Sequence, residues 1–148
     1  MAQSNWPIGK TYPLGSKQFS EKEIIEFART HDPLPFHLSK QEAKESRFKG
    51  LVCSGSQAFF YFYVKAWLPL FGQSVEAGLG MSEWKFLAPV YENESIKAQC
   101  TLIESRATKD PKFCVNKWHF EFLKEKKTKE KVQYLYLEVM HLNSAPHV

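Results

Sequence analysis

GSQAFFYFYVKAWLPLFG (residues 55–72) is apolar on nearly every face. In a soluble chain such a segment reads as a helix enclosed by other structure, because a helix lying on a surface keeps one polar face. Its aromatic and β-branched positions would also suit a strand, but it is far longer than the usual ~5–6-residue strand. The apolar run from Ala58 to Phe71 is interrupted by Lys65 and Pro69, and it falls short of the ~20 apolar residues of a membrane span. Gly72 is its natural stop.

Downstream the pattern changes. After a loop expected around Gly78 and Gly80, the stretches SEWKFLAPV (82–90), SIKAQCTLIESRA (95–107), FCVNKWHFEFLKEK (113–126) and KVQYLYLEVMHL (131–142) read as strands. The polar breaks TKDPK and KKTKE join the last three as antiparallel hairpin neighbours. A buried helix followed by a meander of long strands argues an α+β class, with the helix packed on an antiparallel sheet.

Upstream, Pro7, Gly9, Pro13 and Gly15 punctuate residues 6–19 too often for a helix, so a short strand or extended arm is expected. Ser20 precedes Glu23 by three positions, a capping-box spacing, and Ile24, Phe27 and Ala28 carry a helix towards His31. Pro33 stops it, and Pro33 and Pro35 push the residues before them to extended geometry, so HDPLPFH reads as a stiff loop. Ser39 and Glu42 repeat the capping spacing for a short helix, followed by an irregular segment ending at Ser54.

The 148 residues are most economically read as one domain, 1–148. With 43% hydrophobic and 24% charged residues the chain can bury a core, which argues against intrinsic disorder, collagen or coiled coil. A net charge of +4 falls well short of a dedicated nucleic-acid binder. The excess lies in residues 104–131, where nine Lys and Arg face five acids. That region either attracts phosphates or an acidic carrier protein, or is a solvated hairpin whose lysines discourage edge pairing. The first residues, MAQSNWPIGKTYPLG, lack a basic segment followed by an apolar run, so a soluble, cytoplasmic protein is expected.

Two places carry chemistry. Asp32 and His37 lie five apart on the proline-restrained loop, where a carboxylate can fix the tautomer or raise the basicity of an imidazole that titrates near neutrality. The alternative is that each merely closes or precedes a helix. Ser54-Gly55 opens the apolar helix. Unpaired amides there can stabilise an oxyanion, while ordinary capping by Ser54 is the plainer reading.

In order, FSEKEIIEFARTHDPLPFHLSKQEAKESRFKGLVCSG (19–55), the aromatic helix and MSEWKFLAPVYENESIKAQCTLIES (81–105) resemble the MaoC-like dehydratase family, which includes the (R)-specific enoyl-CoA hydratases. The resemblance covers residues 10–105; the remaining strands agree in pattern only. It implies a hotdog fold, a long antiparallel sheet wrapped around a central helix, assembled as a homodimer. It implies reversible hydration of 2-enoyl thioesters of coenzyme A or an acyl carrier protein, with Asp32 and His37 as the acid/base dyad. Ser54 and Gly55 would meet the substrate, the Gly55 amide donating to the thioester oxygen. Leu34 stands where the family's hydratases usually have Asn, and Ser54 where His is frequent.

No metal, redox or nucleotide cofactor is expected, since no HExxH or glycine-rich phosphate loop is present. A site built from His31, Asp32 and His37 with His119 or His141 is the remaining metal arrangement. Cys53, Cys100 and Cys114 read as buried thiols. Phe59, Phe60, Tyr61, Phe62, Tyr63, Trp67 and Phe71 fill the core, line an acyl tunnel, or do both. Two other functions compete: an acyl-thioester-binding accessory subunit without turnover, and a hotdog thioesterase, since fold alone does not decide chemistry.

Overall fold

The computed structural model describes residues 5–126 and 130–143. Five strands form one antiparallel sheet in the order β1-β3-β4-β5-β2: β1 (Thr11–Gln18), β2 (Val75–Phe86), β3 (Ser95–Ala107), β4 (Phe113–Lys124) and β5 (Lys131–Leu142). Alternation sets the buried face. Ile96, Ala98, Cys100 and Leu102 of β3, Trp118, Phe120 and Phe122 of β4, and Leu135, Leu137 and Val139 of β5 all point into the core. Lys97, Gln99, His119, Glu121, Tyr134 and Tyr136 take the other side. The expected β3 and β5 match to the residue, and the TKDPK connection joins β3 to β4. KKTKE falls largely outside the described residues.

The core face is filled by the long helix, built from α4 (Gly55–Phe62), a π turn (Tyr63–Trp67) and α5 (Leu68–Phe71), ending in a 3-10 turn, Gly72–Ser74. Pro69 has no N–H to give and crowds the preceding turn, and the wider π turn lies immediately before α5, where Pro69 falls in the first turn. Phe59, Phe62, Trp67 and Phe71 are buried against Trp118, Phe120 and Phe122. The sheet wraps this helix, which is the hotdog arrangement.

Two expectations need correction. The helix is not enclosed on every side in the single chain, because Phe60, Val64 and Leu70 are about half exposed. Gly78 and Gly80 are not in a loop but inside β2, which begins at Val75. β2 carries three register shifts against β5, at Val75/Ala77, Gly78/Gly80 and Ser82/Lys85, and these bulges curve the strand. At the last of them Glu83 takes a left-handed φ of 48°.

The first third of the chain closes one end. α1 (Glu21–His31) starts with the full capping box, Ser20 Oγ accepting from Glu23 N–H and the Glu23 carboxylate accepting from Ser20 N–H. α2 (Pro35–Leu38) is a single helical turn within the segment expected as a loop, since a proline in the first turn sacrifices no helical hydrogen bond. α3 (Lys40–Glu45) is capped by Ser39, whose hydroxyl accepts from Glu42 N–H.

Candidate active site

The ends of α1, α2 and the central helix converge. Asp32 closes α1, its N–H donating to Ala28 O at 2.9 Å. Two residues on, Leu34 N–H returns to Asp32 O at 2.8 Å, and His37 N–H then bonds Leu34 O at 2.9 Å, so the two prolines and this turn set the spacing of the pair. The segment before the central helix is pinned on both sides. Val52 N–H donates to Phe36 O at 3.3 Å and Cys53 N–H to Val90 O at 2.8 Å.

These contacts bring Asp32, His37 and Ser54 together. His37 is buried, and its Nδ1 lies 2.6 Å from Val52 O. A carbonyl only accepts, so Nδ1 carries the proton and Nε2 is the nitrogen that faces Asp32 Oδ2, at 3.4 Å. Ser54 Oγ–H donates to the same carboxylate oxygen at 2.8 Å, leaving its lone pairs to Ser56 Oγ, 2.9 Å away. Ser54 therefore makes no side-chain cap of α4. The hydroxyl is spent on Asp32 instead. Gly55 opens α4, and among the described residues its N–H has no hydrogen-bond acceptor.

Asp32, His37, Ser54 and Gly55 all line one cavity of about 730 Å3. Its apolar wall consists of Leu34, Phe36, Phe48, Trp84, Phe86 and Leu87. The Phe86 ring lies directly over Gly55: a Cβ on that residue would sit 2.1 Å from Phe86 Cε1. Gly55 keeps ordinary helical φ, so a side chain there would meet the Phe86 ring and no backbone strain, and the ring would have to move to admit it.

The alternatives that the sequence leaves open separate at this cavity. None of the seven aromatic residues from Phe59 to Phe71 lines it; the helix contributes only Gly55, Ser56 and Ala58. The aromatic wall comes from α2, the loop after α3 and β2. None of the described basic residues of 104–131 lines it either, and neither does Lys85. Among the described residues its one Lys or Arg is Arg47, and an exposed arginine in a loop has no sequence pattern to mark it. Cys53 touches the cavity, but burial pushes its thiol up to about 12, far from a thiolate nucleophile. The other described histidines lie elsewhere. His31 packs on Phe27, His119 on Tyr136, and His141 bonds Ser74 Oγ, so they do not join Asp32 and His37 in a ligand set.

Residues 4–121 match the family described as MaoC like domain. The chain belongs to this family. A relative from Bacillus subtilis (strain 168), the uncharacterized protein YdeM, is 29% identical over 98 residues, 65% of this chain and 69% of its own length. Among solved structures, a monoamine oxidase regulatory protein from Archaeoglobus superposes with a TM-score of 0.85 at 21% identity, covering 98% of this chain and 96% of that one. The MaoC-like dehydratase from Rhodospirillum rubrum gives 0.83 at 22% identity, covering 99% of both chains. An (R)-hydratase from A. caviae involved in PHA biosynthesis gives 0.71 at 18% identity, covering 93% of this chain and 98% of that one. At these identities the superpositions establish the hotdog fold, and the family membership makes dehydratase or hydratase chemistry the general expectation for this MaoC-like chain.

Proposed function

We propose that this MaoC-like protein reversibly hydrates 2-enoyl thioesters of coenzyme A or an acyl carrier protein. The observation that carries the reading is the convergence of the Asp32, His37 and Ser54 side chains on a cavity that also meets the Gly55 amide, which has no acceptor among the described residues. A thioester whose carbonyl oxygen accepts from Gly55 N–H is polarised, and the positive end of the helix favours the enolate charge that builds there. Water held between Asp32 and His37 adds through oxygen at C3. Its proton passes to the dyad as the C2–C3 π pair moves onto the thioester carbonyl. Collapse of the enolate takes a proton at C2 from the same dyad, so the sum is one water added and no electrons exchanged.

The two ring nitrogens have different duties in this scheme. Val52 O holds Nδ1–H, which leaves the Nε2 lone pair as the acceptor beside Asp32. Ser54 keeps the carboxylate turned towards the imidazole. Arg47 is suited to an anionic oxygen on the carrier arm. We also propose a homodimer. β2 is a long sheet edge with exposed Leu79, Met81 and Phe86, and the half-exposed helix residues Phe60, Val64 and Leu70 add apolar surface.

The test is a panel of 2-enoyl-CoA thioesters of different acyl length, read by loss of conjugated absorbance beside release of free thiol. Hydration predicts absorbance loss without thiol, abolished by Asp32→Asn and by His37→Ala. Thiol release would make the protein a thioesterase, and acyl-thioester binding without turnover would make it an accessory subunit.

A further inference from the structure

Gln133 is an amide on an otherwise apolar stretch of β5, between Val132 and Leu135, and it is 2% exposed. A methionine or leucine would fill the same space without the cost of removing an amide from water. Both ends of this amide are engaged. The Trp84 indole N–H donates to Gln133 Oε1 at 2.9 Å, and Gln133 Nε2–H donates to Gly55 O at 3.1 Å. An indole can only donate, so it fixes which end of the amide faces it and leaves the NH2 for the helix head. Trp84 is itself aimed by the bulge at Ser82/Lys85, where Glu83 and Trp84 stand against Leu135 alone and Glu83 takes its left-handed φ. Trp84 and Gln133 both line the cavity of the dyad.

Building on the hydratase reading, we infer that Gln133 is a positioning residue for the oxyanion donor, with Trp84 orienting Gln133 in turn. The bond to Gly55 O holds the Gly55–Ser56 peptide, and through the shared Gly55 Cα it restrains the adjoining Ser54–Gly55 peptide that carries the Gly55 N–H. The same bond polarises the Gly55–Ser56 peptide, making the Ser56 N–H a stronger donor. The helix head is thus held from the sheet by two side-chain hydrogen bonds in series.

The test compares Gln133→Met, Trp84→Phe and the control Val139→Ala, a buried truncation on the same strand. Removing an oxyanion donor outright costs on the order of 100-fold in kcat, so mis-aiming one is expected to cost roughly tenfold for Gln133→Met and less for Trp84→Phe. KM should stay within about twofold, because the donor acts on charge that develops in the transition state. Val139→Ala should lose stability and keep kcat. A wild-type kcat in a folded Gln133→Met protein, a change in KM alone, or an equal kcat loss in Val139→Ala overturns the inference. If Gln133→Met does not fold, Trp84→Phe carries the same comparison. If the wild-type protein hydrates no thioester, the hydratase reading fails on its own, and the Gly55 and Ser56 amide resonances of 15N-labelled protein then decide. Displaced Gly55 and Ser56 signals in the Gln133 or Trp84 variant support the clamp, and unchanged ones overturn it.

Discussion

His141 sits at the far end of the central helix from the cavity, and its environment makes a quantitative claim about acid stability. The ring is fully buried, its Nε2 accepting from Trp118 Nε1–H at 3.3 Å and its Nδ1–H donating to Ser74 Oγ at 2.9 Å. The rings of Trp6, Trp67 and Trp118 stand 5.0, 6.0 and 6.1 Å away. A second proton would displace the Trp118 bond and bury a charge, and burial lowers its pKa from 6.5 to about 4. The unfolded chain therefore takes up the proton first as pH falls below 6.5, and the folded state loses stability until about pH 4. At ~1.36 kcal/mol per decade, the loss is about 1.4 kcal/mol by pH 5.5 and about 2.5 kcal/mol by pH 4.5. Urea unfolding followed by tryptophan fluorescence from pH 7.5 to 4.5 reads this directly. His141→Gln keeps a neutral amide in the site, so its curve should lack this component. Burial lowers His119 as well, and Glu23 and Glu121 are held below the ordinary carboxylate range. Those groups act in both proteins, so the difference between the two curves isolates His141. Parallel curves across this window would refute the reasoning.

Three further outcomes follow from the cavity. Gly55→Ala should fold, because the half-solvated Phe86 ring can swing away from the new Cβ, but turnover should fall by about tenfold as the wall over the helix head is displaced. Steady-state kinetics beside a thermal melt would show it, and unchanged turnover would count against the Phe86 contact. Arg47→Ala should raise KM by about three- to fivefold for coenzyme A thioesters and leave phosphate-free N-acetylcysteamine thioesters unaffected, the size expected of one exposed ion contact. Equal effects on both would remove Arg47 from carrier recognition. The native protein should not react with Ellman's reagent, since Cys53, Cys100 and Cys114 are buried and burial pushes Cys53 and Cys100 up to about 12. All three thiols should react once the chain is unfolded, and a fast native thiol would contradict the packing around Cys53.

Much of this was legible in the sequence where a single local rule governs. Ser20 and Glu23 form the box that their spacing announces, and β3 and β5 match the expected stretches to the residue because polar breaks bound them. The Asp32 and His37 pairing could be read because two prolines leave the intervening chain few conformations. β2 escaped the same rule. Its bulges interrupt alternation, and Gly78 and Gly80 imitate a loop while serving the curvature of the strand. Ser54 reads as a cap because capping is a local habit of serine, whereas its partner is 22 residues away in sequence. Gln133, Trp84, Phe86 and Arg47 reach the cavity only through the pairing of distant strands and loops, and no periodicity marks such residues. The exposed Phe60, Val64 and Leu70 face belongs with them, since composition cannot tell which side of an apolar helix the rest of the chain leaves bare.

The π turn at Tyr63–Trp67 relates the two ends of the molecule. In an unbroken α-helix each residue turns about 100°, so positions 62 and 67 would lie about 140° apart around the axis. Phe62 and Trp67 are nevertheless both buried, because the wider turn takes up most of that difference. The head of the helix answers to the dyad, Gln133 and Phe86, while its tail answers to the aromatic cage around His141. One residue of slack lets both demands be met at once. Removing a residue from Val64–Lys65 would restore regular α hydrogen bonding and leave Phe62 and Trp67 four positions apart, about 40° around the axis, so the shortened helix should still seat both ends.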